Sequence, residues 1–145
     1  MKIRVAPQPG LAFIPPYKTG RSIEEIQRQY GIQDVIKLAS NENPLCPSPR
    51  ALAVLFQSLG KVNFYPDGQS YNLRNALALK LDVKPEQIII GNGEDGLILE
   101  TCMAFLDEHS EVIVSKSSFP IYDIYSAGMR ARVIKTPVKN YCLDL

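Results

Sequence analysis

The stretch "QIIIGNGEDG", residues 87–96, opens the segment on which the fold turns. Three isoleucines run straight into Gly91, Gly93 and Gly96, the pattern of a strand that ends in a glycine turn and leads into a helix. The alternation continues downstream. A helix is expected over 95–107, a strand at "EVIVS" (111–115), a helix at about 120–128 and a strand at "ARVIK" (131–135). Short apolar strands separated by helices make a βαβαβ series, which folds as a parallel sheet with helices on its faces and right-handed crossovers.

In such a unit the turn after the first strand aims unpaired backbone N–H groups and the positive end of a helix dipole outward, and glycine lets an anion come close. Glu94 and Asp95 then pose a question of charge. A carboxylate about 4 Å from a phosphate is repelled by about 4 kcal/mol at an effective dielectric near ~20. These residues therefore serve an anion only through their backbone N–H groups, with the side chains turned away or capping the helix behind it. They also have a reading without any ligand, since acidic residues in a first turn complement the dipole by about 0.3–1 kcal/mol each. The G-x-G-x-x-G spacing also fits a dinucleotide loop, which requires an acidic residue about 20 residues on, at the end of the second strand. Here that strand runs into "SKSS" (115–118), where Lys116 suits a 2′-phosphate, so an NADP-like site stands as a rival. The sequence contains no G-x-x-x-x-G-K-[ST], which removes the nucleoside triphosphate loop.

Upstream, seven of the eleven prolines fall in the first fifty residues, starting with "APQPG" (6–10) and "FIPPYKTG" (13–20), which resist helix and central strand alike. This is expected to be an extended arm. It is interrupted by "SIEEIQRQYG" (22–31), where Ser22 and Glu25 form a capping box, Ile23, Ile26 and Tyr30 share a face, and Gly31 ends the helix. "DVIKLA" (34–39) reads as a short strand. In "SPRALAVLFQSLG" (48–60), Ser48 is placed at the N-cap, Pro49 at the first helical position, and Leu52, Leu55, Phe56 and Leu59 on one stripe. "YPDG" (65–68) is a turn, and a helix follows from Ser70 with Leu73, Leu77 and Leu81 on a face.

The bulk composition agrees with a folded domain. The chain has 145 residues, 46% hydrophobic and 21% charged, which is ordinary for a globular protein of about one domain. A net charge of +1 without a basic run argues against nucleic acid. No apolar run approaches the ~20 residues of a membrane span, and the N-terminus lacks an apolar signal core, so a cytoplasmic location is expected. Cys46, Cys102 and Cys142 are odd in number and widely spaced, which suggests reduced thiols and neither a disulfide framework nor a metal site.

Taken in order, "LASNENPLCPSP" (38–49), "YPDG" (65–68), "LRNALA" (73–78), "VKPEQIIIGNGED" (83–95) and "SFPIY" (118–122) resemble the N-terminal half of histidinol-phosphate aminotransferases. The resemblance is strong over about 35–135 and looser in the arm. It implies the fold-type I pyridoxal-phosphate transferase fold: an incomplete parallel-sheet α/β large domain (48–145) after an N-terminal arm with a short helix and strand (1–47). It also implies a homodimer that uses histidinol phosphate and 2-oxoglutarate. The cofactor, pyridoxal 5′-phosphate, supplies the anion: its phosphate would rest on the N–H groups of Gly93, Glu94 and Asp95. Phe119 matches the aromatic residue that stacks on the pyridine ring, Tyr65 the tyrosine that reaches the neighbouring subunit's cofactor phosphate, and Tyr17 and Asn41 positions near the substrate. A phosphothreonine-type decarboxylase shares much of this pattern and is the alternative enzyme. A short non-catalytic relative that binds phosphate or a partner is the alternative of another class.

The sequence departs from the family at Glu94, where a small or hydroxyl residue is usual, at Gly96, where an acidic residue is common, and at "SKSS", which replaces a more proline-rich approach to Phe119. The family's Schiff-base lysine lies well downstream of the matched motifs. So do the asparagine, the aspartate that holds the pyridine nitrogen and the arginine that grips the substrate carboxylate. None of the nine lysines has the family's lysine context, so no catalytic residue is assigned. Lys116 and His109 are taken as solvated. "YCLDL" (141–145) follows the third expected strand so soon that the domain is expected to be truncated, and inactive by itself.

Overall fold

A computed structural model describes Ile14 and residues 16–143. "APQPG" in the proline-rich arm lies outside the described residues. The chain forms two compact units: Lys18–Tyr71, and a second made of the residues from Asn72 onward with Tyr17.

In Lys18–Tyr71 the local signals decide the helix ends. Helix α1 (Ile23–Tyr30) starts where Ser22 Oγ accepts the Glu25 N–H at 3.1 Å, and it stops at Gly31, whose φ of 67° is left-handed. Helix α2 (Pro49–Ser58) has Pro49 at its first position and continues into a 3₁₀ turn, Leu59–Lys61. Ser48 occupies the N-cap position but makes no capping bond. The stripe on α2 exists but is uncovered, with exposures from 37% at Leu52 to 69% at Phe56. "DVIKLA" is not a strand. Ile36 and Leu38 are exposed there, and among the described residues no strand pairs with this segment, so it has no ladder to gain from β geometry. In "YPDG" it is Asp67 that caps the next helix: its carboxylate accepts the N–H groups of Gln69 at 2.9 Å and Tyr71 at 2.8 Å. Ser70, expected to start that helix, sits at φ 48°.

Helix α3 (Tyr71–Leu81) leads to a 3₁₀ turn, Pro85–Gln87, and then to α4 (Gly93–Phe105), β1 (Glu111–Ser115), α5 (Pro120–Gly128) and β2 (Arg132–Thr136). The two strands pair in parallel with Glu111 opposite Arg132 and Ser115 opposite Thr136. Arg132 Nη1 closes on Glu111 Oε1 at 2.8 Å at the start of the ladder, and the Lys116 N–H donates to the Thr136 carbonyl at 2.9 Å beyond its end. Lys135 Nζ on β2 meets Asp123 Oδ2 on α5 at 2.5 Å, tying helix to sheet. A two-residue antiparallel pair, β3 (Val138–Lys139) and β4 (Cys142–Leu143), follows.

The architecture is the incomplete parallel α/β arrangement that the sequence pattern implies, with one strand fewer. "QIII" was expected to be the first strand. Ile88 is extended (φ −116°, ψ 126°), yet no strand pairs with it among the described residues, and Ile89 is 73% exposed. Its conformation is that of a strand without its sheet. The buried apolar residues among those described are few: Ala78, Cys102, Val114, Ile121 and Ala131; the polar Ser126 is buried too, at 1% exposed.

Candidate functional site: the N-terminus of α4 and the aromatic start of α5

Helix α4 begins at Gly93, two residues earlier than expected, so Gly93, Glu94 and Asp95 form its first turn. Their N–H groups belong to the set for which a helix has no internal acceptor. Asn92 at the N-cap makes no side-chain capping bond. Gly93 has a φ of 80°, which glycine adopts without steric cost, and a Cβ placed there would meet nothing within 4 Å, so the turn opens to solvent. At Gly91 the reverse holds: a Cβ would lie 2.6 Å from the Leu97 side chain, so the loop closes back on its own helix.

The carboxylates are turned onto α5. Tyr125 Oη donates to Asp95 Oδ2 at 2.8 Å, and Tyr122 Oη reaches Glu94 Oε1 at 3.5 Å. The bond to Asp95 holds the Tyr125 phenol above its ordinary pKa, with partial desolvation and the charge of Asp95 acting in the same direction. Phe119 is the N-cap residue of α5 and is 40% exposed. Its ring meets Tyr17 edge-on at 5.9 Å and Tyr122 edge-on at 6.3 Å.

Of the residues singled out in the sequence, the structure thus links Tyr17, Phe119 and, through Tyr122, Glu94 and the first turn of α4. Asn41 and Tyr65 lie in the unit Lys18–Tyr71, Asn41 in a turn at φ 51° and Tyr65 fully exposed. Lys116 is exposed, and the His109 side chain is 85% exposed beside Glu108. Sequence reasoning missed Tyr122 and Tyr125. The signal was their spacing, three and six residues after Phe119, which puts all three rings along one side of a helix.

Below these tyrosines, an apolar groove of about 340 Å³ runs between α4 and α5, lined by Leu97, Ile98, Phe105 and Val112 among others. No group of His, Cys, Asp and Glu that could hold a metal occurs among the described residues, and the three cysteines are unpaired. No described helix is long and apolar enough to cross a membrane. The site therefore offers N–H donors at a helix start, linked through Tyr122 to a half-exposed aromatic ring, an arrangement that fits an anionic group attached to a flat ring system.

No family model matches the chain. Curated relatives do, and the matches fall in their N-terminal part. The chain is 45% identical over 132 residues to the histidinol-phosphate aminotransferase of Moorella thermoacetica, covering 91% of this chain and 34% of the relative. It is 36% identical over 145 residues to that of Halalkalibacterium halodurans, covering all of this chain and 38% of the relative. Among solved structures it is similar to histidinol-phosphate aminotransferase from Sinorhizobium meliloti in complex with pyridoxal-5′-phosphate. That likeness has a TM-score of 0.79 at 26% identity and covers 94% of this chain and 36% of that one. The chain thus spans little more than a third of the length of the relatives it matches.

Proposed function

We propose that this chain, whose sequence matches the N-terminal part of histidinol-phosphate aminotransferases over nearly its whole length, does that part's work in such an enzyme. It would hold pyridoxal 5′-phosphate by its phosphate and its ring while an amino group passes from histidinol phosphate to 2-oxoglutarate. The observation that carries this reading is the collinear match to these enzymes together with the open first turn of α4, which is linked to Phe119 through Tyr122.

Each residue then has a physical task. The N–H groups of Gly93, Glu94 and Asp95 donate to the phosphate, aided by the helix dipole. Phe119 lies against the ring face, and Tyr17, edge-on to Phe119, keeps water from that side. Asn41 contacts the substrate. Tyr65, fully exposed, reaches the cofactor phosphate of a second subunit in a homodimer. When bound, the cofactor supplies an electron-withdrawing ring that stabilises negative charge on the substrate carbon. The lysine that bonds the cofactor and moves the proton is assigned to sequence outside this chain, because none of the nine lysines here lies in the family's lysine context. The location assigned is the cytoplasm.

Titration of the chain with pyridoxal phosphate tests the reading. The expected result is weak, reversible binding that inorganic phosphate displaces, with pyridoxal, which lacks the phosphate, binding about tenfold less tightly. Transamination should stay at the level of free cofactor, and borohydride should label no single dominant lysine. Binding that is indifferent to phosphate would overturn the α4 assignment. A stoichiometric label on Lys116 with activity above background would overturn the division of labour.

A further inference from the structure

We infer that Tyr125, with Tyr122 beside it, is a positioning residue that holds the carboxylates of the glycine loop away from the anion-binding start of α4. The inference rests on the cofactor reading above and extends it to α5.

An aspartate in the first turn of a helix has two places for its charge. It can swing back onto the unpaired N–H groups, where the dipole favours it, or it can find a partner elsewhere. In the first position Asp95 would compete with a phosphate for the same donors and repel it. The structure shows the second: Asp95 Oδ2 accepts from the Tyr125 hydroxyl at 2.8 Å, a charge-assisted bond between residues 30 apart in sequence. Glu94 faces Tyr122 at 3.5 Å, the outer limit of a hydrogen bond, so the Tyr125–Asp95 pair is the main restraint and Tyr122–Glu94 the weaker one. The same bond raises the pKa of the Tyr125 phenol above its ordinary value, so the hydroxyl remains a donor further into the alkaline range.

This arrangement accounts for Glu94, a long acidic residue where the related enzymes usually have a small or hydroxyl one. Tyr122 gives its side chain a place on α5, so the backbone N–H stays available. It also joins two tasks in one element. Helix α5 carries Phe119 at its N-cap and Tyr122 and Tyr125 on the following turns, so the ring contact and the clearing of the phosphate site are set by the position of one helix.

The test uses the full chain and its Tyr125→Phe, Asp95→Asn and doubly substituted variants, titrated with pyridoxal phosphate. Tyr125→Phe removes one hydroxyl and should weaken binding about fivefold, since the carboxylate is freed to reach the donors. Adding Asp95→Asn should restore most of the loss, because the repelling charge is gone. Unchanged binding in Tyr125→Phe would overturn the inference. So would a loss that Asp95→Asn does not rescue, which would mark Tyr125 as merely structural. Ultraviolet titration of the tyrosines, without ligand, reads the pair separately: the late-ionising phenol should disappear in Asp95→Asn. If that holds while the parent chain binds no pyridoxal phosphate, the pair exists but the cofactor reading fails, and the positioning role fails with it.

Discussion

Gly93 carries a conformational demand that no other residue type meets cheaply. At φ 80° a Cβ costs about 1 kcal/mol or more even though it would touch nothing within 4 Å, so the penalty is in the backbone and not in crowding. Gly93→Ala should lower the urea midpoint by an amount equal to about 1 kcal/mol and also weaken pyridoxal phosphate binding, because the first turn of α4 must shift. Phe119→Ala should weaken binding by about threefold to tenfold through lost ring contact, read by the same titration. A different single-residue effect sits in the turn between α4 and β1. Asp107 accepts from the Ser110 hydroxyl at 2.7 Å and the His109 N–H at 2.9 Å, and these bonds hold its carboxyl below the usual aspartate range. A depressed carboxylate pKa contributes stability at neutral pH that is lost as pH falls through the folded-state value. Ser110→Ala should therefore raise the Asp107 pKa toward its ordinary value and move the acid unfolding limb to higher pH, as NMR titration and acid unfolding would register.

At the scale of elements, α1 shows how far purely local chemistry goes. Its Ser22 cap and Gly31 stop were both readable, and Ser22→Ala should cost about 1 kcal/mol, seen as faster amide exchange in Ile23–Tyr30 with little change in β1 and β2. Strand β1 and helix α5 were legible to the residue for the same reason: β-branched runs and a proline start carry their own boundaries. The two expected strands that failed, "DVIKLA" and "QIII", failed on a non-local requirement, since a strand is defined by a partner that its own residues do not specify. The cap of α3 was misread because Asp67 reaches over Gly68 and Gln69, a geometry set by the turn and not by the residue next to the helix. In the candidate site, the glycine turn that opens α4 was legible from motif spacing, whereas the cofactor tasks of Gly93, Glu94, Asp95 and Phe119 come from the family resemblance and are proposals. The hold of Tyr125 on Asp95 was not, because it depends on where the chain places α5 against α4. Tyr65 and Asn41 were legible as motif positions only; their tasks remain proposals.

For the whole molecule, the imbalance between a small core and a large apolar surface governs solution behaviour. Leu38 at 91%, Leu45 at 84%, Phe56 at 69%, Phe64 at 69% and Phe105 at 79% exposed leave large apolar side chains open to water. The chain should bind a hydrophobic dye and sediment as concentration-dependent oligomers. A monodisperse monomer at high concentration that leaves the dye dark would contradict this. Against that background, the crossover from β1 through α5 to β2 stands apart. Its parallel ladder and its two ion pairs, Glu111 with Arg132 and Asp123 with Lys135, all close within one short window of sequence. Contacts so local form early, because little loop entropy is lost before they reward it. On a translating ribosome this crossover can therefore close as soon as Thr136 clears the exit tunnel, before any later residue has emerged to cover its faces. Chains stalled just past that point should resist brief proteolysis at 111–136 while the segment around Leu38 is cut, so the nascent protein would carry a finished seed and a sticky remainder at the same moment.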